Sequence, residues 1–355
     1  MPGLFTPLTI RTTTFANRAW VSPMCMYSAI EGEVQDWHLV HLGALAAGGA
    51  GLVMAEATGV LPEARISTHC PGIWTTDQTA AWARIVRFAH GLGTAIGLQL
   101  AHAGRKASTS PPSTGGSPVA PDDGGWETVG PSAVAFGAMP APREMSADDL
   151  DRTIHGFREA AARAVWAGFD VVEVHAAHGY LLHQFLSPLS NHRTDEYGGS
   201  LENRMRFPLA VIAAVREVAA DKPLFVRISM TDWMVGGWDL DSSVQFAGRL
   251  KDLGVDLIDA SSGGLHPDQA IPDRVDYQTE LAAQLRQRVG MPVAAVGRIT
   301  EARQAEQLIA SDEVDAVFLA RQMLRDPHWP LRAAHELGVD VAWPPQYLRA
   351  ASWQS

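Results

Sequence analysis

Three side chains able to donate or accept a proton lie close together, directly after a strand-like run of apolar residues. His175, His178 and Tyr180 follow residues 171–174, which read VVEV. Two histidines at this spacing can be metal ligands, parts of a packed core, or N–H donors directed at a substrate. A catalytic zinc needs a third protein ligand, and the chain has no H-E-x-x-H motif. The pattern therefore favours donors, and no metal is predicted.

Short apolar segments recur along the chain, and a longer helical pattern follows each of them. Most are apolar throughout, which is typical of parallel strands covered by helices. Eight strand–helix units over ~300 residues favour an α/β fold, a single (β/α)8 TIM barrel. The predicted strands are 19–24, 51–57, 95–101, 171–175, 224–229, 257–261, 293–296 and 316–320, and the predicted helices include 77–92, 148–167, 201–219, 242–253 and 301–309.

One long segment interrupts this alternation after the third strand. Residues 102–147 are dense in glycine, proline and serine, as in STSPPSTGGSPVAPDDGG. A loop of this length in a compact domain is usually functional or disordered. We therefore expect one domain over residues 1–355, in which 102–147 form a cap over the active site.

The ends of the predicted strands carry the polar groups, and TIM-barrel enzymes place their catalytic residues there. Arg227 lies inside the apolar run PLFVRIS, where an arginine needs an anionic partner. Arg321 follows the eighth strand, near the usual phosphate site of such barrels. Amides, guanidinium groups, imidazoles and phenols outnumber carboxylates, which suits a flat anionic ligand better than Mg²⁺ or Ca²⁺. The further candidates at these ends are Pro23 to Tyr27, Glu56 to Thr58, Gln99, His102, Gly297, Arg298 and Ala320.

Composition excludes several classes of protein. The formal net charge of −11 disfavours nucleic acid and anionic membranes as partners. Cys25 and Cys70 are the only cysteines, too few for an iron–sulfur cluster or a disulfide framework. No apolar run is long enough to span a membrane, and the N-terminus lacks a signal-peptide pattern. The sequence therefore predicts a soluble cytoplasmic protein.

Several of these segments resemble the Old Yellow Enzyme family of ene-reductases. The matching segments are SPMCMYSA (22–29), AEATGVLPEARIS (55–67), QLAHAGRKA (99–107), HAAHGYLLHQFLSPLSNHRTDEYGGSLENRMRF (175–207), FVRIS (225–229) and VFLARQMLRDPHW (317–329). They occur in order over nearly the whole chain. Cys25, Tyr27 and the ending PPQYLR (344–349) are similar to the class that contains xenobiotic reductases and thermophilic-type enzymes.

The resemblance implies an FMN-dependent reductase that oxidises NADPH and reduces activated C=C bonds, such as those of enones, maleimides and related nitro compounds. Hydride would reach the β-carbon, His175 and His178 would bind the carbonyl oxygen, and Tyr180 would protonate the α-carbon. Cys25 would tune the flavin, and Tyr27 would hydrogen-bond the substrate. By position, the flavin would contact Ser22, Pro23, Met24, Cys25, Ala57, Gln99 and Arg227, and its phosphate would contact Gly297, Arg298, Ala320 and Arg321.

The tail and two rival functions stay open at this point. Tyr347, Arg349 and Trp353 fit either a lid that reaches the substrate site, in this subunit or a neighbouring one, or a plain surface tail. A lid of this kind accords with a homodimer or homotetramer. The rivals are a metal-dependent barrel hydrolase built on the two histidines and a flavin-binding barrel without catalysis.

Overall fold

Eight parallel strands close into a barrel with helices between successive strands. The computed structural model describes residues 2–352. The strands are β1 (Leu8–Ile10), β2 (Thr13–Phe15), β3 (Ala19–Val21), β4 (Leu52–Gly59), β5 (Ala95–Ala101), β6 (Val129–Gly130), β7 (Arg143–Glu144), β8 (Val171–Ala176), β9 (Leu224–Ser229), β10 (Leu257–Ser261), β11 (Val293–Val296) and β12 (Ala316–Leu319). The barrel runs β3-β4-β5-β8-β9-β10-β11-β12, and β12 pairs back with β3. The predicted TIM barrel is confirmed.

The helices cover the outer face of the barrel and its loops. They are α1 (Asp36–Ala47), α2 (Thr76–Gly91), α3 (Ala147–Ala167), α4 (Leu181–Leu186), α5 (Leu201–Val218), α6 (Leu240–Asp252), α7 (Thr279–Val289), α8 (Ala302–Ala310), α9 (Arg321–Arg325) and α10 (Trp329–Glu336). Local sequence defines their ends, as α3 shows. The Ser146 hydroxyl and the Asp149 carboxylate cap each other's backbone N–H groups, and Gly168 ends the helix at a φ of 96°.

The lower end of the barrel is filled by aromatic side chains. The β1–β2 hairpin, which was not predicted, precedes β3 and brings Phe15 to within 4.8 Å of Trp20, centroid to centroid. Trp20 in turn stacks on Phe225 at 5.7 Å, and all three are buried. This apolar lower core leaves the opposite end, where the strands terminate, for polar groups.

Two predicted strand ends are wrong, and both lie beside the candidate site. Strand β3 ends at Val21 instead of Met24, because Pro23 has no N–H to donate to a neighbouring strand. Strand β4 continues to Gly59 instead of ending at Ala57, because its register against β5 shifts between Ala55 and Thr58. The other predicted strands agree with the structure to within one residue, and the five predicted helices to within two.

The long segment after β5 is largely irregular. It contains three short 3-10 turns, at Gly104–Lys106, Pro112–Thr114 and Pro121–Asp123, and the β6–β7 pair. Arg105 joins it to the loop after β10 by donating to the carbonyl oxygen of Leu265 at 2.7 Å, and it also donates to Val134 within the segment at 3.1 Å. The predicted role of the segment as a cap stays a prediction.

Candidate active site

The structure brings together the three side chains that follow β8. His175 lies on the strand and points into the barrel mouth, and His178 and Tyr180 lie on the loop that follows. The ring centroids of His175 and His178 are 5.1 Å apart, and those of His175 and Tyr180 are 5.0 Å apart. Two imidazoles and a phenol therefore form one cluster at the barrel mouth.

The hydrogen bond that His175 accepts determines which of its nitrogens carries the proton. Its Nδ1 accepts the backbone N–H of Ala177 at 3.3 Å. A neutral imidazole has one donor and one acceptor nitrogen, so the proton of His175 is on Nε2. Nε2–H is then the group that His175 can offer to a ligand.

His178 is held by side chains from two other strands. Its Nε2 lies 2.7 Å from the Ser261 hydroxyl, and its backbone N–H donates to Ser229 Oγ at 2.9 Å. Ser261 Oγ also accepts an N–H of Gln278 at 3.5 Å, and its own hydrogen can be donated to Nε2 of His178. In that tautomer Nδ1–H of His178 is its free donor. The sequence analysis missed Ser261 and Gln278, although Ser261 stands at the end of a predicted strand.

Both imidazoles are uncharged at neutral pH. Burial, and then the positive charge of Arg227, holds the pKa of His175 and that of His178 well below the usual range. Burial likewise raises the pKa of the Tyr180 phenol well above its usual value. The cluster therefore offers neutral N–H and O–H groups.

The loop that carries His178 is clamped by Lys106 and Gly264. The Lys106 ammonium donates to the carbonyl oxygens of His178 and Gly264, each at 2.9 Å, and lies 5.0 Å from the Tyr180 ring centroid. His178 has a φ of 58°, a strained conformation for a residue with a side chain. A Cβ added at Gly264 would lie 2.5 Å from His178 Cα. Lys106 was missed as a separate group, although it lies within the QLAHAGRKA segment.

The loop after β3 carries the second group of predicted residues. Residues 23–28 are half-buried, and Ser22 is buried. The N–H of Met26 donates to Glu56 at 3.0 Å, and Tyr27 has a φ of 51°. Contact with Cys70, together with burial, raises the pKa of the Cys25 thiol well above its usual value. Cys25 is therefore a thiol and not a thiolate.

A polar layer crosses the barrel just below this cluster. Gln99 Nε2 donates to Glu173 Oε1 at 2.7 Å, and Arg227 Nε lies 3.2 Å from Asp259 Oδ2. The expectation that Arg227 needs an anionic partner is confirmed, and Asp259 on β10 is that partner. Ala57, predicted to touch the flavin, is buried two residues before the end of the neighbouring strand β4.

A polar cavity lies beyond the ends of β11 and β12. Its volume is about 260 Å³. Gly297 adopts a φ of 113°, and a Cβ there would meet Gln278 Nε2 at 2.9 Å. Three arginines line the cavity, of which sequence analysis missed Arg325, four residues after Arg321. The lining residues are Val296, Gly297, Arg298, Ile299, Thr300, Phe318, Ala320, Arg321, Gln322 and Arg325.

The C-terminal candidates lie apart from the histidine cluster in this chain. Tyr347 is 41% exposed, and its ring lies 5.5 Å from that of His328. Arg349 is exposed on the 3-10 turn Pro345–Ala350. Trp353 lies outside the described residues. A role for this tail in a neighbouring subunit stays a prediction.

Within residues 2–352, no three His, Cys, Asp or Glu side chains are grouped so that they could hold a metal ion. In the same part of the chain, none of the helices combines the length and the apolar character needed to cross a membrane.

His102, the candidate at the end of β5, makes the fold sensitive to acid. It is 3% exposed, and burial, followed by the charge of Arg152, lowers its pKa to about 3. Between pH 7 and 5 the unfolded chain therefore binds a proton at His102 that the folded chain does not, so stability falls as the pH falls. His102→Gln should reduce this loss in the free energy of unfolding by about 2 kcal/mol.

Urea unfolding of wild type and His102→Gln at the two pH values measures this difference. The exposed His192 supplies the control. Between pH 7 and 5, His192→Gln should lose as much free energy of unfolding as wild type does. If wild type and His102→Gln lost the same free energy of unfolding between pH 7 and 5, the acid sensitivity would not come from His102.

The residues at the barrel mouth fit FMN. The arginine-lined cavity suits a phosphate, because planar guanidinium groups bind phosphate oxygens in pairs. The amide of Gln99 and the guanidinium of Arg227 suit the polar edge of a flat ring, and Arg227 Nε has no hydrogen-bond partner among the described residues. Phosphate site and ring site lie at the same end of the barrel.

Comparison with known proteins agrees with this fit. Residues 3–340 match the NADH:flavin oxidoreductase / NADH oxidase family. The chain is 46% identical to an NADPH dehydrogenase of Geobacillus thermodenitrificans over 98% of each chain, and 44% identical to one of Bacillus velezensis, again over 98% of each. Morphinone reductase superposes with a TM-score of 0.79 at 31% identity, over 97% of this chain and 92% of the other.

These matches confirm the predicted family and the predicted cofactor. The enzyme class follows from the same matches, because the family is one of NADH:flavin oxidoreductases, the curated relatives are named NADPH dehydrogenase and the structural neighbour is named a reductase. The chain therefore belongs to the NADH:flavin oxidoreductase / NADH oxidase family, the Old Yellow Enzyme group of FMN-dependent NAD(P)H oxidoreductases.

Proposed function

We propose that this protein is an ene-reductase that oxidises NADPH and reduces α,β-unsaturated carbonyl compounds, including enones and maleimides, and related nitro compounds. The convergence of His175, His178 and Tyr180 at the barrel mouth is the observation that carries the proposal. NADPH is the proposed electron donor because two curated relatives are named NADPH dehydrogenase.

The two histidines bind the carbonyl oxygen of the substrate. When hydride adds to the β-carbon, negative charge develops on that oxygen. Nε2–H of His175 and Nδ1–H of His178 are fixed donors, and such donors stabilise the developing charge without reorganisation. Neutral imidazoles suffice, and burial keeps them neutral.

Tyr180 supplies the proton that completes the reduction. After hydride addition the α-carbon needs a proton, and a phenol with a raised pKa keeps its proton until the substrate takes it. Tyr27 adds a hydrogen bond to the substrate, and Cys25 contacts both substrate and cofactor as a neutral thiol.

FMN, when bound, supplies the two-electron hydride chemistry of the reaction. Ser22, Pro23, Met24, Cys25 and Ala57 would line its ring, with Gln99 and Arg227 at the pyrimidine edge. Gly297, Arg298, Ala320 and Arg321 would hold its phosphate. NADPH and the alkene would occupy the same substrate site in turn, which would give ping-pong kinetics.

An anaerobic stopped-flow titration tests the proposal. Purified yellow holoenzyme should lose its visible flavin absorbance when NADPH is added and should regain it when cyclohexenone or a maleimide is added. A protein that NADPH fails to bleach would be a binding barrel without this activity. A bleached protein that neither alkene reoxidises would contradict the proposed substrate class.

Arg321 allows the phosphate site to be tested separately. Arg321→Gln removes one cation from the cavity, and the dissociation constant for FMN should rise about 10- to 100-fold, because hydrogen bonds to charged groups contribute about 1.5–3 kcal/mol. Fluorescence titration of the apoprotein measures this change. Riboflavin, which lacks the phosphate, should bind wild type and Arg321→Gln with equal affinity. As a control, Arg303→Gln on the exposed face of α8 should bind FMN as wild type does.

The quaternary structure and location are further parts of the proposal. We propose a homodimer or homotetramer in the cytoplasm, in which Tyr347 and Arg349 contact the substrate site of a neighbouring copy. Their exposure in the single chain supports this role. Sedimentation velocity of the holoenzyme would give the number of copies.

A further inference from the structure

Four polar side chains form the layer that separates the apolar lower core from the barrel mouth. In the strand register Gln99 on β5 stands opposite Glu173 on β8, and Arg227 on β9 stands opposite Asp259 on β10. Each is 6% exposed or less. Phe225, two residues before Arg227, already belongs to the apolar lower core.

The charges in this layer do not balance if every group is ionised. Arg227 is the one cation of the layer, and its nearest carboxylate is that of Asp259, at 3.2 Å. The partner of Glu173 is the neutral amide of Gln99. Glu173 Oε2 and both carboxylate oxygens of Asp259 have no hydrogen-bond partner in the described part of the chain, so Asp259 is held by its ion pair alone. An unpaired buried charge costs several kcal/mol, so one carboxyl group must take up a proton.

Glu173 is the better site for that proton. Burial, and then the negative charge of Asp259, raises the pKa of Glu173 to about 8, whereas burial raises that of Asp259 to about 6. The positive charge of Arg227 and the hydrogen bond from Gln99 lower the pKa of Glu173 only in part, because Arg227 lies against Asp259, and His175 is neutral. On the helix that follows β8, His183 is paired with Asp232 at 2.9 Å.

The hydrogen bond between Gln99 and Glu173 determines the orientation of the Gln99 side-chain amide. Because Nε2 of Gln99 donates to Glu173 Oε1, one N–H is committed, and Oε1 and the second N–H remain for a ligand. A protonated carboxyl group accepts this bond through its carbonyl oxygen and adds no charge beneath the ligand.

We propose that Glu173 is a positioning residue that stays uncharged at neutral pH and holds the Gln99 amide in one orientation towards the pyrimidine edge of FMN. This inference rests on the proposed contact between Gln99 and the cofactor. It implies that ionisation of Glu173 at higher pH places a second negative charge near the ring. Reduction, which adds negative charge near N1, then becomes harder.

The midpoint potential of the bound FMN, measured against pH in the holoenzyme, tests this inference. Glu173→Gln keeps the shape and is neutral at every pH, so its potential should equal that of wild type at pH 7. Above a pH of about 8, where the raised pKa of Glu173 lies, the wild-type potential should fall more steeply than that of the variant. A potential that already differs at pH 7 would show that Glu173 is charged there and would overturn the inference.

Two measurements separate the hydrogen bond from the charge. Glu173→Leu cannot accept from Gln99, and its dissociation constant for FMN should rise about 5- to 100-fold, the usual effect of leaving a buried donor unpaired. Infrared spectra of wild type at pH 7 should contain a protonated-carboxyl band that Glu173→Gln lacks. Unchanged FMN binding in Glu173→Leu, or absence of the band in wild type, would overturn the inference.

Failure of the underlying function gives a different result. If Gln99→Leu binds FMN as tightly as wild type and has the same potential, Gln99 does not contact the cofactor and the proposed flavin site is wrong. If Gln99→Leu binds FMN more weakly, but Glu173→Leu binds FMN as wild type does or Glu173→Gln has a different potential at pH 7, only the role of Glu173 is wrong. Thermal unfolding of each apoprotein identifies a variant that fails to fold, and the wild-type pH titration depends on no variant.

Discussion

Replacing Tyr180 with phenylalanine slows reoxidation of the reduced enzyme by an enone about 10²- to 10⁴-fold, the usual contribution of a positioned acid. The rate at which NADPH reduces the flavin is unchanged, because that half-reaction needs no proton from Tyr180. The ring itself keeps its place beside His175, since the phenyl group preserves the contact at 5.0 Å. Single-turnover stopped-flow measurements of the two half-reactions give both rates.

The control for this experiment is another tyrosine outside the cluster. Tyr197 lies on the loop before α5 and has no role in the proposed site, so Tyr197→Phe should match wild type in both half-reactions. Equal slowing of both half-reactions in Tyr180→Phe would indicate a damaged flavin site instead of a lost acid. Unchanged reoxidation would show that the proton comes from another group or from water.

The regular part of the fold was predictable because local sequence determines it. The strands Leu257–Ser261 and Val293–Val296 were predicted to the residue, since each is a short apolar run after a helix that ends near glycine. The error at residues 22–24 has the same origin. Ser22 and Met24 are compatible with a strand, but Pro23 cannot take part in the ladder.

The partners of the site residues could be predicted only in part. Arg227 was singled out because a charge inside an apolar strand needs compensation, and the same rule applies to Glu173 and Asp259 on their strands. Which of these groups pair depends on strand register around the closed barrel. Register arises from long-range packing, so it cannot be read from any one segment.

The loop contacts were beyond sequence reasoning for a related reason. Lys106 holds the carbonyl oxygens of His178 and Gly264, which are distant along the chain. Gly264 is required because a Cβ there would meet the backbone of His178. No property of the GG pair at 263–264 identifies that neighbour. The resemblance to a known family located the site residues, and the structure shows what holds them in place.

Removing the imidazole donors should also strongly slow the reaction with the alkene. His175→Ala or His178→Ala each removes one N–H from the carbonyl oxygen, and each should slow reoxidation by an enone about 10²- to 10³-fold. The double variant should be slower than either single variant, although the two effects need not multiply because the rings are in contact. Enone binding to the oxidised enzyme, followed by the change in flavin absorbance, should weaken in the same order.

Asparagine variants distinguish donation from simple packing. His178→Asn keeps an N–H donor in a smaller side chain and should recover part of the rate that His178→Ala loses. His192→Ala, on an exposed loop, should behave as wild type. A reoxidation rate that is higher in His178→Asn than in His178→Ala would support the donor role. Equal rates in the two variants would indicate that the ring is needed for packing.

The pH dependence of the same step tests whether the donors are neutral. Because burial and Arg227 hold the pKa of both histidines well below the usual range, neither ring gains a proton between about pH 8 and 6. The reoxidation rate in wild type should therefore be flat between about pH 7 and 6, below the range in which Glu173 ionises. A rate that rises as the pH falls through the ordinary histidine range would mean that an imidazolium, and not a neutral ring, binds the oxygen, and it would contradict the mechanism proposed for His175 and His178.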